Sequence, residues 1–187
     1  MVSHLEVLQF WFGEPRGPRQ KRWFEKDPAF DAEVRSRFLP LYEALARSAQ
    51  GTWLDGATHC LARIVVLDQF PRNMFRGTPQ AFATDPLALQ AARHALDRGY
   101  DHGLLPVERL FLYLPFEHSE SLEDQERACE LCRPLAAFPE TDDAYRYAVA
   151  HRDIIARFGR FPHRNAVLGR ASTPEEAEFL EQPGSGF

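Results

Sequence analysis

Residues 27–45 read DPAFDAEVRSRFLPLYEAL, and this stretch decides the fold class. Asp27 before Pro28 places a capping carboxylate ahead of a proline at the first helical position, where the missing N–H costs nothing. Phe30, Val34, Phe38, Leu41 and Leu45 then recur at the three-to-four-residue spacing of one helical face. Pro40 is expected to kink that helix, since it removes one backbone donor.

The same grammar repeats outward in both directions. Ser3 and Glu6 form a capping box for a first helix, which Gly13 ends. Residues 13–27 carry Pro15, Gly17, Pro18 and many charges and read as a loop, pinned to the body by Trp23 and Phe24. Downstream, Asp55 caps a third helix with Leu61, Ile64, Val65 and Leu67 on its apolar face, expected to stop at Phe70 and Pro71. Asp85 and Pro86 repeat the N-cap and proline signal for a fourth helix carrying Leu87, Ala91, Ala95 and Leu96, closed by Gly99. Pro106 opens a fifth helix through Leu114, which Pro115 closes or bends. Ser121 caps a sixth, with acids in its first turn. Thr141 or Asp142 starts a seventh, through Tyr145, Val149 and Ile155 to Phe158, ended by Gly159. Thr173 and Glu176 form a capping box for a short last helix.

No alternating strand pattern occurs. The expectation is an all-α chain of seven to eight helices stacked as antiparallel hairpins, a single domain over residues 1–187 with a loose tail at 182–187.

A chain of 187 residues with 44% hydrophobic residues suits one domain with a sizeable core. The net charge of −5 argues against nucleic-acid binding driven by phosphate neutralisation. No stretch is long enough to span a bilayer, and His4, Glu6 and Gln9 interrupt the apolar N-terminal run, so neither a membrane nor an export signal is expected. Cys60, Cys129 and Cys132 make no disulfide framework, and the cytoplasm is the expected compartment. Lysine occurs only at positions 21 and 26, so arginine abundance reflects composition and only arginine placement carries information.

Three tracts are too costly for ordinary surface: residues 67–77 (LDQFPRNMFRG), 115–126 (PFEHSESLEDQE) and 151–165 (HRDIIARFGRFPHRN). Each mixes Phe and Pro with Arg, Asn, His and carboxylates, whereas solvated loops favour Gly, Ser, Asp and Asn. FPRN at 70–73 and FPHRN at 161–165 are near-copies. In each, Phe buries a ring, Pro interrupts the helical path, Arg supplies a planar donor fork and Asn a donor and an acceptor. If the two corners meet, Arg72, Asn73, Arg164 and Asn165 line a shared cleft, with Arg76, Arg157 and Arg160 adding positive potential. A carboxylate or phosphate is the natural guest for such forks. The same arginines also serve by capping helix carbonyls or pairing with buried carboxylates.

Asp68 opposes the helix dipole where it stands and needs a partner, for which Arg152 or Arg157 is expected. Glu117, His118 and His163 are the candidate acid–base groups, although neighbours on a helix do not face each other. Adding His151 gives imidazoles and carboxylates of metal-ligating type, but no diagnostic spacing, and no metal or other cofactor is expected. Cys129 and Cys132 lie inside a helix with no second pair and read as core. Ser119 and Ser121 lack the context of a nucleophile.

The three tracts, with TDPL at 84–87 and GRASTPEE at 169–176, resemble a bacterial family catalogued as domain of unknown function 924. LDQFPRN, FRG, AFATD, PFEHSE and FPHRN stand in the family's order, and the likeness runs from VLQFWFG at 7–13 to Phe179 and Leu180. The resemblance implies an all-helical fold similar to tetratricopeptide-repeat proteins, and brings no established activity, cofactor or catalytic residue. One departure stands at residues 55–58 (DGAT), in place of a proline-containing helix start.

Three functions follow as expectations. One is binding of an anionic small molecule or peptide carboxylate in an arginine- and aromatic-lined cleft. Another is a hydrolase or lyase on an anionic substrate. The third is a helical scaffold for a protein partner. On the first, Arg72→Ala is expected to weaken anion binding and spare the fold.

Overall fold

The computed structural model describes residues 2–48 and 52–186, and among these the regular structure is helical throughout. Phe187, part of the expected loose tail, lies outside the described residues. The helices are α1 (His4–Phe12), α2 (Pro28–Arg47), α3 (Ala57–Ile64), α4 (Phe70–Met74), α5 (Asp85–Asp97), α6 (Pro106–Glu117), α7 (Leu122–Cys132), α8 (Ala144–Phe158) and α9 (Pro174–Leu180). Short 3₁₀ turns join several of them.

Local capping chemistry sets several ends. Ser3 accepts from the Glu6 N–H at 3.2 Å while the Glu6 carboxylate accepts from the Ser3 N–H at 2.8 Å. Asp27 accepts from the Ala29 and Phe30 N–H groups at 2.9 and 3.2 Å. Gly159 takes the left-handed conformation, φ 69°, that closes α8 without a Cβ clash. Other ends differ from expectation. Gly56, not Asp55, precedes α3, at the departure noted above. Ser121 stands before α7 without capping it by its side chain, and α8 begins at Ala144 because the Thr141 hydroxyl is spent on the Leu135 carbonyl at 2.8 Å. Pro40 lies inside an unbroken α2, and α6 runs past Pro115 to Glu117.

The largest difference is at Pro71. The third helix does not stop there. A wide π turn, Val65–Gln69, carries it into α4. Proline has no N–H for the Leu67 carbonyl and would crowd it in a regular helix, and the wider turn relieves that conflict. The Leu67 carbonyl accepts instead from the Thr84 hydroxyl at 2.5 Å. Thr84 thereby becomes the residue before α5, and Asp85, expected as the cap, is its first residue.

Residues 60–71 are buried without interruption, so α3, the π turn and the start of α4 form the centre of the molecule. Around it pack α1, α2, α5 and α6, with α7 and α8 layered onto α6. Ala88, Ala91, Ala92 and Ala95 form the buried face of α5 and let it approach α3 closely. Aromatic rings fill the space on the other side, with Phe38 against Phe70 at 4.6 Å and Trp23 against Phe111 at 4.8 Å between centroids. Trp23 pins the 13–27 loop, its indole N–H donating to the Trp11 carbonyl at 2.8 Å, while Phe24 is largely exposed. No described helix is long and apolar enough to cross a membrane.

Candidate functional site

The two look-alike corners approach each other through one residue apiece. Arg72, on α4, forms a two-pronged bridge to Asp85 at the start of α5, 2.9 and 3.0 Å. Arg164, in the 3₁₀ turn Pro162–Arg164, points its Nη1 to the same carboxylate at 3.6 Å and donates to the His118 carbonyl at 3.0 Å. The Phe82 ring lies under both guanidinium groups, 5.6 Å from Arg72 and 4.8 Å from Arg164, and Phe161 supports Arg164 at 4.4 Å.

The remaining expected ligand residues are engaged elsewhere. Asn73 and Arg76 turn to Asp31 on α2, at 2.7 and 2.8 Å. Arg160 grips Glu176 at 2.6 and 2.8 Å, and Asn165 donates to the same carboxylate at 3.2 Å, so both anchor α9. The Arg160 bridge holds the Glu176 carboxyl down at about 2. Arg157 pairs with Glu175 on the surface at 2.9 Å. A shared cleft lined by all seven residues does not form. The copies diverge because the extra residue in FPHRN and its 3₁₀ turn aim Arg164 and Asn165 differently from Arg72 and Asn73, which are helical.

Below Arg72 lies Asp68, fully buried in the π turn. Its partner is neither Arg152, which pairs with Asp153, nor Arg157. His118 Nδ1 sits 2.7 Å from Asp68 Oδ1, Gln69 donates to Oδ2 at 2.6 Å, and Arg72 Nη1 stands 3.4 Å away. Burial pushes the Asp68 carboxyl up, but Arg72 and His118 outweigh it and hold it well below the usual carboxylate range. Arg72 is itself kept charged, since Asp68 and Asp85 outweigh its burial. His118 is shifted down, first by burial and then by Arg72, so the imidazole is neutral at neutral pH.

Glu117, next in sequence, faces a different neighbourhood. Its Oε1 accepts from the Cys132 thiol at 3.3 Å, and His151 Nδ1 lies 3.5 Å from Oε2. Burial pushes its carboxyl up to about 8 and the nearby Asp68 charge adds to this. Burial also lowers His151 to about 3 and raises the Cys132 thiol. Gln125 donates to the Glu117 and Ser119 carbonyls at 2.6 and 2.7 Å and closes the end of α6, so part of PFEHSESLEDQE is a helix junction. His163, lowered to about 4 by burial and by Arg164, packs 5.5 Å from the Phe161 ring. Among the described residues no three His, Cys, Asp or Glu side chains are grouped to hold a metal.

Sequence reasoning missed Asp85, Phe82, Glu120 and Arg170. Glu120 takes two bonds from Arg170, at 2.8 and 3.0 Å, and one from the Phe161 N–H at 2.8 Å. TDPL was the available signal for Asp85, read as a cap because its true partner is thirteen residues upstream. Two surface clefts lie elsewhere, one beside Arg16, Arg19, Leu105 and Glu140, the other beside Arg93, Glu123 and Glu130.

A model described as bacterial protein of unknown function (DUF924) matches residues 7–184. A solved structure of a protein of unknown function from Agrobacterium tumefaciens is 45% identical, covering 95% of this chain and 96% of that one with a TM-score of 0.85. Among curated proteins none matches.

Proposed function

The chain belongs to the DUF924 family, and for it we propose the binding of a small anion, a carboxylate or phosphate, at the edge of the Arg72–Arg164 pair over Phe82. One observation carries this reading: Arg164 is a buried cation whose charge is incompletely answered. Its Nε makes no hydrogen bond among the described residues. The nearest carboxylate, Asp85, is already gripped on both oxygens by Arg72. Burial first, and then the Arg72 charge, pull Arg164 down to about 10. A bound anion would supply the missing charge and accept from the unused edge of the fork. The three buried cysteines are free thiols, which suits the reducing cytoplasm this reading assumes.

The test is thermal melting with inorganic phosphate or succinate against sodium chloride at equal ionic strength. The expected result is a rise that grows with the logarithm of anion concentration above Kd, reaching about 2.7 kcal/mol at a hundredfold excess. Arg164→Met should abolish it. Equal melting of the wild type in phosphate and in chloride, with succinate no better, removes the reading.

A further inference from the structure

We propose that Asp68 and His118 form an acid–base pair that activates water against an acyl ester carrying the anion held at Arg164. This deepens the anion-binding reading and rests on it.

The geometry assigns the proton. An ionised carboxylate only accepts, so the 2.7 Å contact with Asp68 places the imidazole proton on His118 Nδ1. The lone pair is then on Nε2, which has no hydrogen bond among the described residues, and the side chain retains 14% exposure. Asp68 is itself fixed by Gln69 and Arg72 and has no exposure, so it can orient the ring without exchanging with solvent. The π turn that sets Asp68 opposite α6 is a rare irregularity of the kind found at functional sites. Arg164 is tied to the same residue through the His118 carbonyl, so the anion subsite and the imidazole share one anchor.

Among the described residues no side-chain nucleophile stands ready beside them. The Ser119 hydroxyl donates to Asp124 at 2.7 Å, and the buried Cys132 thiol donates to Glu117. The proton taken by Nε2 therefore comes from water. The water oxygen bonds to the acyl carbon as its proton passes to Nε2. The tetrahedral adduct then expels the alcohol oxygen, which recovers that proton from the imidazolium. The sum is ester plus water giving acid plus alcohol, and Arg164 stabilises charge on the anionic substrate. His118 is the catalytic residue and Asp68 the positioning residue.

The probes are 4-nitrophenyl hemisuccinate, which carries a carboxylate, and neutral 4-nitrophenyl acetate. The full chain should release 4-nitrophenolate from the hemisuccinate about 100-fold faster than His118→Gln does. Arg164→Met should erase the preference for hemisuccinate over acetate. Asp68→Asn should slow release and move the ¹⁵N signals of His118 away from the Nδ1-protonated tautomer, a change that loss of packing alone does not produce. Carbethoxylation of the wild type, mapped by peptide, needs no variant: His118 should react and succinate should protect it, with the largely exposed His102 as control. Equal release by wild type and His118→Gln, or an unmodified His118 beside a reacting His102, overturns the proposal. If phosphate and succinate bind through Arg164 but release does not depend on His118, only the acid–base step falls. If neither anion binds yet release from the acetate depends on His118, the anion reading falls and the pair stands.

Discussion

FPRN and FPHRN share four residues and do opposite electrostatic work. At the first corner every charge is answered: Arg72 faces Asp68 and Asp85, and Arg76 faces Asp31. At the second, Arg160 is answered by Glu176, but among the described residues Arg164 has a shared carboxylate at 3.6 Å, one carbonyl and two rings. A fully paired arginine is structure. The under-paired Arg164, buried rather than exposed, is the one to which the proposed anion is assigned. The lesson is that similarity of motif does not transfer role, because role depends on which carboxylates the rest of the fold delivers.

Removing the two arginines should break the comparison if it is wrong. Arg72→Ala removes the main cationic partner of two carboxylates, one of them fully buried, and should cost about 3–5 kcal/mol. For a chain of this size that is on the order of 10 °C in melting temperature. The sequence-based expectation that this variant spares the fold is reversed. Melting within about 2 °C of wild type would show the first corner to be less paired than its geometry implies. Thr84→Val comes next. It leaves the Leu67 carbonyl unsatisfied beneath Pro71 and should cost about 1–3 kcal/mol by urea unfolding.

Glu117→Gln sharpens the comparison through pH, because Glu117 is a buried neutral acid beside His151, whose ring packs on Phe161 of the second corner. A carboxyl raised to about 8 keeps its proton in the fold while the unfolded chain has lost it. The wild type therefore loses stability as pH rises from the ordinary Glu range, near 4.5, through about 8. His151, lowered to about 3, acts the other way, since acidification below the ordinary histidine value favours the unfolded chain. The Gln variant lacks only the first effect, so its melting advantage over wild type should grow from pH 5 to pH 8. A constant difference would place a charged Glu117 in the fold. The smallest effect is expected of Arg164→Met, within about 1 kcal/mol of wild type without ligand, since replacing a poorly compensated buried cation by an apolar chain is often neutral.

Much of the fold was legible because its signals are local. The Ser3–Glu6 and Thr173–Glu176 boxes, the Asp27–Pro28 start and the Gly159 stop involve groups no more than four residues apart, and each forms as read. Reading failed where a distant group changes the local answer. Pro71 ends a helix in isolation but not when Thr84 serves the freed carbonyl. Asp85 caps a helix in isolation but not when Arg72 claims both its oxygens. The candidate site was half legible for the same reason: unusual residues marked the three tracts, yet Asp68 was assigned to the wrong arginine.

Amino-acid order alone therefore determined the helical class, several helix ends and the places where charge had been set among aromatics. The tertiary structure decided which charges cancel, joining Asp68 to His118 across fifty positions and leaving the Arg164 Nε without a hydrogen bond among the described residues. Backbone capping is satisfied within a turn, whereas a guanidinium is satisfied by whatever carboxylate the packing of other helices brings within reach.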